Sequence, residues 1–83
     1  MTVRERVWAV VGRVCGDDYT ESSANFYELG GDSLLADQLM AALRTEFGEG
    51  LPVTVLFEAP DMGAFVEEAV TQLNSRSPQQ GGS

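Results

Sequence analysis

Three observations predict a small all-α bundle with three main helices, one short helix and a long loop after the first helix. Apolar residues recur at helical spacing in three segments, polar or Gly- and Pro-bearing stretches separate them, and 83 residues suffice for only one thin core. Hydrophobic residues make up 43% of the chain and charged residues 22%, too apolar for a disordered chain and ordinary for one that folds. A core this thin leaves little room for an enclosed active site.

The first helix is expected over residues 3–15. Val3, Val7, Val10, Val11 and Val14 recur every three or four positions, with Arg4, Arg6 and Arg13 between them, and Trp8 beside the stripe at the core edge. Gly12 weakens this helix modestly. After Gly16 the composition changes to Asp17, Asp18, Thr20, Glu21, Ser22, Ser23 and Asn25, the residue types of turns and caps. This is the long loop, and Phe26, Tyr27 and Leu29 near its end are expected to anchor it to the bundle.

Gly30 and Gly31 interrupt the chain, and either Asp32 or Ser33 is chemically able to cap the helix that follows, over residues 33–47. Leu35, Leu39, Leu43 and Phe47, with Met40 alongside, are its expected buried stripe, and Gly48 and Gly50 end it. Val53 to Phe57 is rich in β-branched residues and by propensity a strand. A lone strand has no partner in this chain, so a short helical turn after Pro52 is expected instead. Beyond Pro60 and Asp61, Met62, Phe65, Val66, Ala69, Val70 and Leu73 give the last helix its apolar face. The folded domain is expected over residues 1–74, and residues 75–83, Ser-Arg-Ser-Pro-Gln-Gln-Gly-Gly-Ser, form a flexible tail with nothing apolar to bury.

Thirteen acidic residues against five arginines, without lysine or histidine, give a formal charge of −8. Nucleic acid and anionic lipid surfaces would repel such a chain; acidity of this kind more often serves solubility than recognition, and a partner that reads it would present a basic patch. Cys15 is the one cysteine, so no intrachain disulfide exists, and a metal site is not expected without histidine. Its expected role is that of a small apolar residue at a helix end. The apolar run from Val7 to Val11 is too short for a signal peptide and Arg13 interrupts it; no segment reaches membrane-spanning length. The expected location is cytoplasmic.

Chemistry concentrates at Gly30-Gly31-Asp32-Ser33. A serine at a helix start behind two glycines is exposed, open to close approach, and set where helix amides favour an anion, so a phosphodiester suits it. The plainer alternative is a turn and a cap with no further role.

The wider string Asn25-Phe26-Tyr27-Glu28-Leu29-Gly30-Gly31-Asp32-Ser33-Leu34-Leu35-Ala36 resembles the signature of peptidyl carrier proteins (thiolation domains) of nonribosomal peptide synthesis, within the acyl carrier protein superfamily. The order of the helices also matches, and Leu56-Phe57-Glu58-Ala59-Pro60 resembles the family's segment before its final helix, so the likeness covers roughly residues 3–73. The resemblance implies that a phosphopantetheinyl transferase, using coenzyme A and magnesium, attaches 4′-phosphopantetheine to Ser33, with Asp32 flanking it for transferase recognition. The arm then holds an aminoacyl or peptidyl group as a thioester. Adenylating, condensation, thioesterase or tailoring enzymes are the implied partners; the chain is expected to be a monomer and to have no catalytic residues of its own.

Gly31-Asp32-Ser33-Leu34 is similar to a motif of certain lipases and esterases, but those enzymes need an α/β scaffold and a catalytic histidine that this chain lacks. Leu34, Asp37, Gln38 and Ala41 are expected to face outward from the serine-bearing helix as a docking surface, with Leu34 entering a partner's pocket. Met62 is a further candidate contact, although core packing suits it better. The chain departs from the peptidyl pattern at Asp37, commonly apolar in that family, and at Gln38, commonly basic. Both changes make the face more acidic, as in free-standing acyl carriers of polyketide or fatty acyl pathways, the alternative cargo class. The alternative of another class is an unmodified helical interaction domain.

Overall fold

The computed structural model describes residues 2–20 and 23–75. Its helices are α1 (Val3–Cys15), α2 (Ser33–Phe47), α3 (Thr54–Glu58) and α4 (Met62–Ser75), with a 3-10 turn at Asp17–Tyr19 after α1. Among the described residues there is no strand. Ser75, expected to open the tail, is the last residue of α4, and the rest of the expected tail lies outside the described residues.

Helix α1 begins at a reciprocal cap. The Thr2 hydroxyl accepts from the Glu5 amide while the Glu5 carboxylate accepts from the Thr2 amide, which satisfies two donors the helix cannot. Val7, Val10 and Val11 are fully buried, with Val3, Val14 and Trp8 packed at the margins of the core. Two arginines on the same helix reach in different directions. Arg4 makes a two-pronged contact with Glu67 of α4, at 2.7 Å for each nitrogen, and Arg6 binds the Glu46 carboxylate and carbonyl of α2 while lying 4.6 Å from the centre of the Phe47 ring. The Arg4–Glu67 pair is exposed and the Arg6–Glu46 pair part-buried, so the first adds little to stability.

In α2 the buried centre is Ala36, Leu39 and Leu43, while Leu35, Met40 and Phe47 lie half-buried at its edges. The expected row of Leu35, Leu39, Leu43 and Phe47 is therefore buried at its middle and half-buried at its ends. Each four-residue step turns about 40° past a full circle, so a row of four cannot keep both ends on the centre line. Ala36, small enough to be overlooked, is as fully buried as Leu39 and Leu43.

The segment that propensity assigns to a strand is helical. Pro52 and Val53 carbonyls accept from the Val55 and Leu56 amides at 3.1 and 3.0 Å, and the turn drives Val55 and Leu56 into the core. Tertiary packing overrides β-propensity here, because the two apolar side chains gain burial on one helical face that a solitary strand would split between two. The Asp61 carboxylate accepts from the Ala64 amide at 2.7 Å and caps α4. Along α4, all six expected apolar residues are buried: Met62, Phe65, Val66, Ala69, Val70 and Leu73. Met62 is 0% exposed, which corrects its candidacy as a partner contact. A side chain with no surface has nothing to offer a partner in this conformation.

Candidate functional site

The loop that leads to Ser33 is built residue by residue from short-range bonds. Asn25 and Glu28 exchange hydrogen bonds, the Glu28 amide donating to Asn25 Oδ1 at 2.8 Å and the Asn25 amide to Glu28 Oε1 at 2.9 Å. The amides of Leu29, Gly30 and Gly31 then donate to the carbonyls of Asn25, Tyr27 and Phe26. Together these make a single tight turn over residues 25–31. The Met62 amide donates to the Ala24 carbonyl, which ties the start of the turn to the start of α4.

The turn is fastened to the core by aromatic rings. Phe26 is 1% exposed, and Leu29 is half-buried against the same cluster. Tyr27, the third expected anchor, is instead 46% exposed and lies on the surface with its ring edge toward Phe26 and 5.6 Å from the Phe57 ring. Adjacent residues of a turn point in different directions, and only one of the two aromatics reaches the interior. The anchor that sequence reading missed is Tyr19. Its ring is buried and tilted against Phe26 at 5.8 Å, and its hydroxyl donates to the Leu29 carbonyl at 3.1 Å. Burial, with the negative charges of Asp32 and Asp18 adding to it, raises the pKa of the Tyr19 phenol, so the hydroxyl keeps its proton as a donor.

Both glycines are explained by this packing. Gly30 has φ of 102°, a left-handed value that residues with a Cβ rarely adopt. At Gly31 the backbone lies directly on the Phe26 ring, where a Cβ would collide with three ring carbons.

Asp32 supplies the cap of α2. Its backbone is extended, and its Oδ1 accepts from the Leu35 amide at 2.9 Å. Ser33 is therefore the first residue inside the helix, exposed to solvent and relieved of capping. The amides of Ser33 and Leu34 precede the helix's own hydrogen-bond ladder, so their partial positive charge favours an anion on the serine oxygen. Asp32 brings a negative charge close by, and its bond to the Leu35 amide compensates part of it.

Downstream, Leu34, Asp37, Gln38 and Ala41 are all exposed and lie on one outward stripe of α2 at three- and four-residue spacing. Leu34 is 66% exposed, the highest value among the large apolar side chains described. Asp32, Ser33 and this stripe thus share one exposed face, and the buried Met62 is not on it. Cys15 takes no part in it. Burial pushes its thiol up to about 11, which leaves it protonated and unreactive at neutral pH. An open groove of about 430 Å³ between α3 and α4, floored by Val55, Ala59 and Ala64, includes no residue of the Gly-Gly turn or of α2.

A family described as the phosphopantetheine attachment site matches residues 5–69. Over 68 residues the chain is 41% identical to phosphinothricin tripeptide synthetase PhsB of Streptomyces viridochromogenes, covering 78% of this chain and 5% of that protein. Over 53 residues it is 42% identical to a linear gramicidin synthase of Brevibacillus parabrevis, covering 64% of this chain and 1% of the synthase. Phenolphthiocerol synthesis polyketide synthase type I Pks15/1 of Mycobacterium bovis is 36% identical over 74 residues, 89% of this chain and 4% of the synthase. The chain thus spans a twentieth or less of the length of each of these relatives. No solved structure matches.

Proposed function

We propose, from the premise that this chain belongs to the phosphopantetheine-attachment family, that it is a peptidyl carrier domain whose Ser33 bears the arm. The observation that carries this reading is the division of labour at the start of α2. Asp32 caps the helix, so the neighbouring hydroxyl is free, exposed and set beside unused amides. A tetrahedral phosphodiester suits that place, because the serine is exposed and the first amides of α2 favour an anion beside it.

Attachment needs no catalytic group from this chain. The bond formed joins Ser33 Oγ to the phosphorus carrying the pantetheine, the pyrophosphate link of coenzyme A breaks, 3′-phosphoadenosine 5′-phosphate leaves, and the hydroxyl proton passes to a base of the transferase. Once attached, the arm supplies a thiol that holds an acyl group as a thioester. What the chain's own residues do is present the oxygen, hold its backbone fixed, and offer a partner the stripe of Leu34, Asp37, Gln38 and Ala41. It carries cargo between an adenylating enzyme and condensation, thioesterase or tailoring enzymes, as a cytoplasmic monomer that catalyses nothing itself.

Nonribosomal peptide assembly is supported by the double glycine before Asp32 and by the peptide synthetases among the relatives. A second reading, an acyl carrier of a polyketide pathway, is favoured by Asp37 on the outward face and by the polyketide synthase relative. Loading with aminoacyl adenylates in one arm and acyl coenzyme A in the other separates the two.

Intact mass before and after incubation with coenzyme A, magnesium and a promiscuous transferase tests the core of the reading. One phosphopantetheine is expected on the parent and none on Ser33→Ala. A folded parent that stays unmodified beside a modified control carrier would favour an unmodified interaction domain instead.

A further inference from the structure

The Gly-Gly turn has one side-chain tie to the 3-10 turn that follows α1. Tyr19 closes that turn, its amide donating to the Gly16 carbonyl at 3.1 Å. From there its ring packs on Phe26 and its hydroxyl bonds to the carbonyl of Leu29. The same oxygen stands 3.8 Å from where a Cβ on Gly30 would be, which places it beside the point where the chain swings into its left-handed residue. Gly31 continues directly over the Phe26 ring, and Asp32 opens α2. Two separate contacts by one residue therefore bracket the backbone just before Ser33.

We infer that the Tyr19 hydroxyl is a positioning group for Ser33, holding the Leu29 carbonyl so that the serine is already in place when a transferase arrives. This rests on Ser33 as the attachment point. The ring and the hydroxyl have different tasks: the ring is part of the core, and the hydroxyl fixes the path of residues 29–31. Removing only the oxygen leaves the ring seated on Phe26 and frees the turn to sample other paths. A protein whose competent conformation is only fractionally populated binds its partner more weakly by that fraction. The cost therefore falls on binding, not on the chemical step.

The test is Tyr19→Phe, read in two ways on the whole chain. In hydrogen exchange the amides of Gly30 and Gly31 should lose protection, by between about twofold and about tenfold, the range for one net hydrogen bond. With the transferase, KM for the carrier should rise by a similar factor while kcat stays within about twofold of the parent. Val70→Ala in α4 serves as the comparison, because it removes buried core volume from a helix other than those flanking the turn. A rise in KM for Val70→Ala equal to that for Tyr19→Phe would assign the effect to general destabilisation and overturn the inference. Unchanged exchange and unchanged KM in Tyr19→Phe, with the parent fully modified, would overturn it and leave Ser33 standing. A parent that takes no arm would remove the attachment reading and this inference with it.

Discussion

The two sides of Ser33 are built on opposite principles. Before it, from Asn25 to Asp32, the backbone is bound in a tight turn, laid on Phe26 and tied to Tyr19. After it, the outward stripe of Leu34, Asp37, Gln38 and Ala41 is exposed to solvent. The difference separates two requirements of a tethered carrier. On the proposed reading, the anchorage must be fixed, so the arm starts from a defined point, and the adjoining surface must be free, so successive partners can use it. Preorganisation is confined to the half that every partner shares.

Deleting the ring under the turn should break the contrast most severely. Phe26→Ala removes a fully buried aromatic side chain and should cost about 3–5 kcal/mol, a large part of the stability of a domain this small, measured by urea unfolding. The next largest effect separates Asp32 from its neighbour. Asp32→Ala should lose a helix cap, about 1 kcal/mol, whereas Ser33→Ala should stay within about 0.5 kcal/mol of the parent because its hydroxyl does no capping. Equal losses in thermal melts of the two variants would mean that the cap is shared. On the free side, Leu34→Ala should leave the melt within about 0.5 kcal/mol yet weaken docking by about 1 kcal/mol or more, on the order of a truncated anchor. Binding titrations against the transferase would show it, and a melt that moved more than the binding would make Leu34 part of the fold instead.

The free side is the more legible in sequence. Once helical period places α2 over residues 33–47, the outward positions follow from geometry, and Leu34, Asp37, Gln38 and Ala41 are all exposed. The fixed side carries no period. Tyr19 sits among polar residues, and its meaning is a bond to a carbonyl ten positions away, which composition does not encode. Phe26 and Tyr27 are adjacent aromatics, and sequence cannot say which of them turns inward. Asp32 and Ser33 are both good caps, so the choice between them depends on the extended backbone at Asp32. Met62 lies on the helix face that periodicity assigns to it, and its full burial there favours the core role over the partner role. Likewise the row starting at Leu35 is buried at its middle, Leu39 and Leu43, while its two ends drift to the edges, and Ala36 joins the buried centre.

The contact between Gly31 and the Phe26 ring has a bearing on how this chain changes over generations. Any side chain at position 31 meets the ring, while any smaller residue at position 26 leaves a void in the core. Each route to a new pair therefore passes through a defective intermediate, so the two positions should drift together or not at all. In a mutational scan of doubles, residues 26 and 31 should show strong epistasis, with a larger residue at 31 tolerated only in backgrounds already lacking the phenyl ring.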